Sequence, residues 1–125
     1  MLDNEMDLDP YLLLVNVIRS PLTQQKYFGR LNSFFEFILI PAGALEERCK
    51  TFVSKCNENP KYSLNSIYRF VINLKERMQK GEIVVSTIYN YLKPIKLLCE
   101  INDINIKWKK ITIGLPKESP FDLLL

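Results

Sequence analysis

No histidine occurs among the 125 residues, which removes the side chain most often used as a general base or metal ligand near neutral pH. The carboxylates form no evident acid and base pair, because Glu46 and Glu47 are adjacent and point along different directions of a helix. No glycine-rich phosphate loop is present. Cys49 and Cys56 stand about 10 Å apart along one predicted helix, too far to bridge each other. With Cys99 they fall on apolar faces, as buried reduced thiols do, and no Cys-x-x-Cys pair points to a metal. The residue types therefore predict no independent active site, metal centre, cofactor or small-molecule substrate.

Two other sets of residues could do chemistry of a different kind. Thr23, Gln25, Lys26 and Arg30 follow Ser20, and Thr87, Asn90 and Lys93 follow Ser86. Each set puts short hydroxyl, amide and basic side chains near the beginning of an amphipathic segment. There, free backbone N–H groups and the positive end of the helix dipole suit a phosphate oxygen. Amide and hydroxyl groups can also reach base edges, while the cations neutralise phosphate. The plainer alternative is that the two serines only cap helices and the other polar groups face water. Two helices sharing one arrangement give the binding interpretation its force.

The elements that must position these groups are helical. Asp9 can cap a helix from Pro10 to Ile18 whose LLLVNVI run is apolar nearly all round. Ser20 and Pro21 open a second that reaches about Leu39 and buries Tyr27, Leu31, Phe34, Phe35 and Ile38, with Pro41 and Gly43 ending it. A third, from about Ala44 to Asn57, turns Leu45, Cys49, Phe52 and Cys56 inward. Ser63 is the expected cap of a fourth, which faces Leu64, Ile67, Tyr68, Val71, Ile72 and Met78 to the core and stops at Gly81. The fifth starts at Ser86, buries Ile88, Tyr91, Leu92, Ile95, Leu98 and Cys99, and carries Pro94 in its interior, where a kink is expected. From Asn102 the helical period is lost and prolines increase, which reads as a linker, with Trp108 docking it and Lys107, Lys109 and Lys110 in solvent. The phenylalanines at helical spacing read as core rather than as stacking platforms for bases.

The expected fold is all-α, a bundle of four to five helices, divided into an acidic segment 1–9, a helical domain 10–106 and a tail 107–125. Residues 10–125 hold all 17 basic and 10 of the 14 acidic residues, a net charge of +7 that favours polyanions. No apolar run is long enough to span a membrane, and the acidic start lacks the basic opening of a signal peptide, so a cytoplasmic location is expected.

The pattern Ser20, Thr23, Tyr27, Leu31, Phe34, followed by Ser86, Thr87, Ile88, Leu92, Ile95, resembles the N-terminal core-binding domain of tyrosine recombinases, also called phage-type integrases. The phrase NDINIKWKKITIGLPKE resembles the archaeal branch, where it leads into the catalytic domain. The similarity spans residues 10–118. It implies a SAM-like helical domain forming half of a C-shaped clamp around double-stranded DNA at a recombination site. Carried over, Thr23, Gln25 and Lys26 together with Ser86, Thr87 and Asn90 face the major groove, and Arg30 and Lys93 add charge beside them. The first helix, Tyr11 to Ile18, resembles the one that touches a neighbouring recombinase protomer.

Departures from the family pattern are specific. The helix Leu45 to Cys56 is longer than the simplest members need, and SPFDLLL does not continue as the family does. The family's catalytic arginine, lysine and histidine set has no counterpart, and none of the six tyrosines has the catalytic context. A DNA-binding domain that performs no strand cleavage is therefore the expectation. Its rival is a helical protein-interaction module whose first helix and leucine-rich tail dock a partner, with incidental basic charge.

Overall fold

The computed structural model describes residues 8–117, and these fold into six α-helices with no strand among them: α1 Pro10–Val17, α2 Pro21–Phe37, α3 Leu45–Glu58, α4 Pro60–Gln79, α5 Val85–Ile101 and α6 Trp108–Thr112. The all-α expectation holds, with one helix more than expected.

Three helices start the same way, with a short polar side chain as cap and proline at the first helical position. The N–H of Tyr11 donates to Asp9 Oδ1 at 3.1 Å, that of Thr23 to Ser20 Oγ at 3.3 Å, and that of Lys61 to Asn59 Oδ1 at 3.0 Å. The third case corrects the expected start of the fourth helix. Pro60 opens α4 instead of merely ending α3, and Asn59 serves as the cap of both. Ser63 lies inside α4, buried, its hydroxyl donating to the Pro60 carbonyl at 3.2 Å.

Three helix ends share a motif too. After α2, α4 and α5 the chain takes a left-handed residue, namely Leu39, Gly81 and Asp103. The next residue then donates back across the last turn, Ile40 to Phe35, Glu82 to Arg77 and Ile104 to Cys99, each at 2.9 Å. Glycine suits such a position because it has no Cβ to clash, but Leu39 fills it with a side chain at φ 65°.

Phe34 sits at the centre of the packing. Its ring meets Phe52 of α3 at 5.4 Å and Phe70 of α4 at 5.2 Å, and Phe70 meets Tyr91 of α5 edge-on at 5.5 Å. Four helices are thus tied through adjoining rings. Leu14 carries α1 into the same core, where α1 packs on α3 and α5. Arg48 is a buried charge, held because its guanidinium donates to the carbonyls of Pro41 at 3.1 Å and Ile40 at 3.3 Å and to Asn32 Oδ1 at 2.9 Å. Those carbonyls belong to the α2–α3 turn and need a donor when buried.

Two further expectations change. Tyr68 and Ile72, expected in the core from their spacing, are 46% and 44% exposed. The buried stripe of α4 runs through Ser63, Ser66, Ile67, Phe70, Val71 and Leu74, because its small serines let neighbouring helices approach where larger side chains would not fit. The tail is not a linker as far as residue 117. Ile104, Ile111 and Leu115 are buried, α6 packs on α4, and the Tyr89 hydroxyl donates to the Pro116 carbonyl at 2.9 Å. Helix α5 runs through Pro94, whose ring is fully buried, so packing offsets the missing backbone donor.

Truncating Phe34 to alanine should cost about 3–5 kcal/mol in a urea-unfolding measurement, since no helix can close the cavity alone. Leu39→Gly should instead raise the unfolding free energy by about 0.5–1 kcal/mol, seen as a higher urea midpoint, because Leu39 is 86% exposed and only the left-handed backbone is relieved. An unchanged midpoint would show that the turn carries no strain.

Candidate nucleic-acid interface

Helices α2 and α5 pack directly on each other. From Ser20 to Phe35 and from Ile83 to Cys99 neither stretch contains an acidic residue, while Lys26, Arg30, Lys93 and Lys96 supply positive charge. The described acids stand on other segments, at Asp9, Glu46, Glu47, Glu58, Glu76, Glu82 and Asp103, or at the ends of these helices, at Glu36 and Glu100.

At the start of α2, Gln25 and Lys26 are exposed and Thr23 and Arg30 half-buried. The Ser20 hydroxyl oxygen accepts the Thr23 N–H as the cap, which uses one of its lone pairs. Gln24 is the residue that sequence reading missed. Its amide donates to the carbonyls of Val15 at 3.1 Å and Ile18 at 2.8 Å, the orphan acceptors at the end of α1, and so fixes the angle at which α2 leaves the turn. An amide flanked by candidate contacts gave no sign of pointing inward.

The start of α5 differs from expectation. Val84 precedes the helix, no side chain caps it, and Ser86 is the second helical residue rather than the cap. The backbone N–H groups of Val85 and Ser86 therefore lack an intrahelical acceptor, as at any uncapped helix start. Ser86, Thr87 and Asn90 are half-buried and Lys93 is exposed. The Lys93 ammonium donates to Asn90 Oδ1 at 3.3 Å, a direct side-chain hydrogen bond within the predicted set.

Distances along the helices divide the set in two. Phe34 and Phe37, at the end of α2, reach Tyr91 in the first half of α5 through Phe70. Arg30 lies within about 6 Å of Phe34 along α2, and Ser86, Thr87, Asn90 and Lys93 lie within about 8 Å of Tyr91 along α5. Thr23, Gln25 and Lys26 lie about 12–17 Å from Phe34, toward the far end of α2. The two helix beginnings are thus not side by side at the ring junction. The predicted residues form a central group around that junction and an outlying group at the start of α2.

The thiols offer no competing chemistry. Burial pushes Cys49 up to about 12, with the Asp9 carboxylate adding to it, and Cys56 also up to about 12; Cys99 is raised as well, mainly by burial. All three are free and buried. Thiolates, the reactive form, are disfavoured at such sites.

No protein-family model, curated protein or solved structure matches the chain.

A folded-state thiol pKa above the ordinary 9.0 means that the unfolded chain loses its proton first. The resulting stabilisation is complete below about pH 9 and declines as pH rises toward 12. Cys49→Ala should therefore flatten the alkaline fall of unfolding free energy by about 1 kcal/mol per pH unit between about pH 10 and 11. Equal slopes for the two proteins would refute the assignment.

Proposed function

We propose that this chain is a helical DNA-binding domain of the tyrosine-recombinase kind, which grips duplex DNA at a recombination site and performs no strand cleavage itself. The observation that carries this proposal is the direct packing of α2 on α5, two helices whose adjoining stretches are basic and free of acids. A phosphate backbone brought to that side meets Lys26, Arg30, Lys93 and Lys96 and the donors at the start of α5, with Glu36 and Glu82 flanking the basic stretches.

Lys26, Arg30 and Lys93 act as phosphate contacts and set the register of the domain on the duplex. Uncapped N–H groups at Val85 and Ser86 receive a further phosphate oxygen. Thr23, Gln25 and Asn90 have the donors and acceptors to read base edges, with Ser86 and Thr87 beside them. Lys93 holds the Asn90 carboxamide oxygen, which orients that side chain before DNA arrives.

Helix α1 has a separate role in this proposal. Leu12, Val17 and, at the start of α2, Leu22 are about half exposed or more, an apolar surface suited to a neighbouring protomer. Buried reduced thiols suit a reducing compartment such as the cytoplasm. Among the described residues no helix is long and apolar enough to cross a membrane.

With about three to five neutralised phosphates, the log–log slope of duplex affinity against salt should be roughly −3 to −4.5. Lys26→Ala and Lys93→Ala should each weaken binding severalfold, lower that slope by about 0.9 and leave the melting temperature nearly unchanged. Fluorescence anisotropy on duplex DNA across a salt series measures both. Salt-independent binding, or full affinity in both variants, would remove the proposal.

A further inference from the structure

Away from α2 and α5, the outer face of α4 and the short α6 enclose a groove of about 430 Å³ lined by Leu64, Asn65, Tyr68, Lys109, Lys110 and Ile113. Its floor is apolar. Tyr68 and Ile113 are 46% and 81% exposed, and Ile72 extends the same stripe one turn along α4. Leu64 packs partly against the core, but Tyr68, Ile72 and Ile113 stand outside it, because the inward stripe of α4 is the one from Ser63 to Leu74.

Among the described residues the charge around the floor has one sign. Lys109 and Lys110 stand on the α6 wall, and exposed Lys61 lies one turn before Leu64. The Lys75 ammonium lies 3.5 Å from where a Cβ on Gly114 would stand, which carries positive charge to the other end of the stripe. Among the described residues no acid lines the groove, and Glu76, the first acid on α4, lies beyond Lys75.

We infer that this groove docks an acidic, amphipathic helix of a partner protein. An apolar floor with a lysine rim complements a helix whose apolar side chains recur at i, i+3, i+4 and i+7 and whose flanks carry carboxylates. The volume accommodates a few apolar side chains. Duplex DNA would meet the lysine rim but leave the apolar floor of Leu64, Tyr68 and Ile113 unmatched, whereas an acidic amphipathic helix complements both. The inference is independent of the DNA-binding proposal, since it uses α4 and α6 rather than α2 and α5.

The test uses the full chain and three synthetic helical peptides. One has leucines at that spacing with glutamates on the polar face, the second replaces the leucines with serine, and the third replaces the glutamates with lysine. The first should bind saturably and shift the amide resonances of Leu64, Tyr68 and Ile113, while the other two should not bind. Ile113→Ser and Lys109→Glu/Lys110→Glu should each weaken it by about tenfold with the melting temperature preserved, whereas Lys26→Ala and Lys93→Ala should leave it unchanged. Equal binding of the serine or lysine peptide, or shifts confined to α2 and α5, overturns the inference. So does duplex DNA that perturbs the groove residues more strongly than the acidic peptide.

Discussion

Contact between Phe34 and the rings around it is the constraint on which the remaining structure depends. One side chain from the last turns of α2 touches α3 and α4 directly and reaches α5 through Phe70. Aromatic rings bury a large area with few rotatable bonds, so their mutual positions fix helix positions more tightly than aliphatic contacts would. Everything proposed for α2 and α5 presupposes this junction, because the polar faces are aligned only as well as the helices beneath them.

Around that centre, polar groups are used to close turns rather than to make sites. Arg48 resembles a functional residue by its burial, yet its partners Asn32, Glu36, Ile40 and Pro41 belong to α2 and the α2–α3 turn. Gln24 does the same for the α1–α2 turn. Both sit beside residues that face solvent, and both are committed to carbonyls that a short turn leaves without donors. What remains for binding is therefore what these turns do not consume: Lys26, Arg30 and Lys93, the start of α5, and the lysine-rimmed groove of α4 and α6.

Much of the fold was legible because local rules and core packing agreed. Pro10 and Pro21 after a capping side chain, Gly81 after the last turn of α4, and the inward stripes of α2, α3 and α5 all appear where the spacing placed them. Misreadings occurred where two local rules competed. Pro60 could end one helix or begin the next, and Asn59 decides for the latter by capping Lys61. On α4, large apolar side chains at Tyr68 and Ile72 suggested an inward face, but the serines turned inward instead. Helix α6 is too short to show a period, so only the burial of Ile111 and Leu115 reveals that the tail belongs to the core.

By itself the sequence determined the helical class, the excess of positive charge, the absence of histidine and the two hydroxyl-led basic stretches. These follow from composition and from interactions within about one helical turn, which a linear chain already specifies. Tertiary structure alone decided that α2 lies on α5, that Ser86 stands inside its helix rather than capping it, and that the beginnings of the two helices do not meet at the ring junction. It also decided that an apolar stripe on α4 faces outward beside α6. Those outcomes depend on which side chains fit against one another across long separations in the chain, and no local pattern encodes that fit.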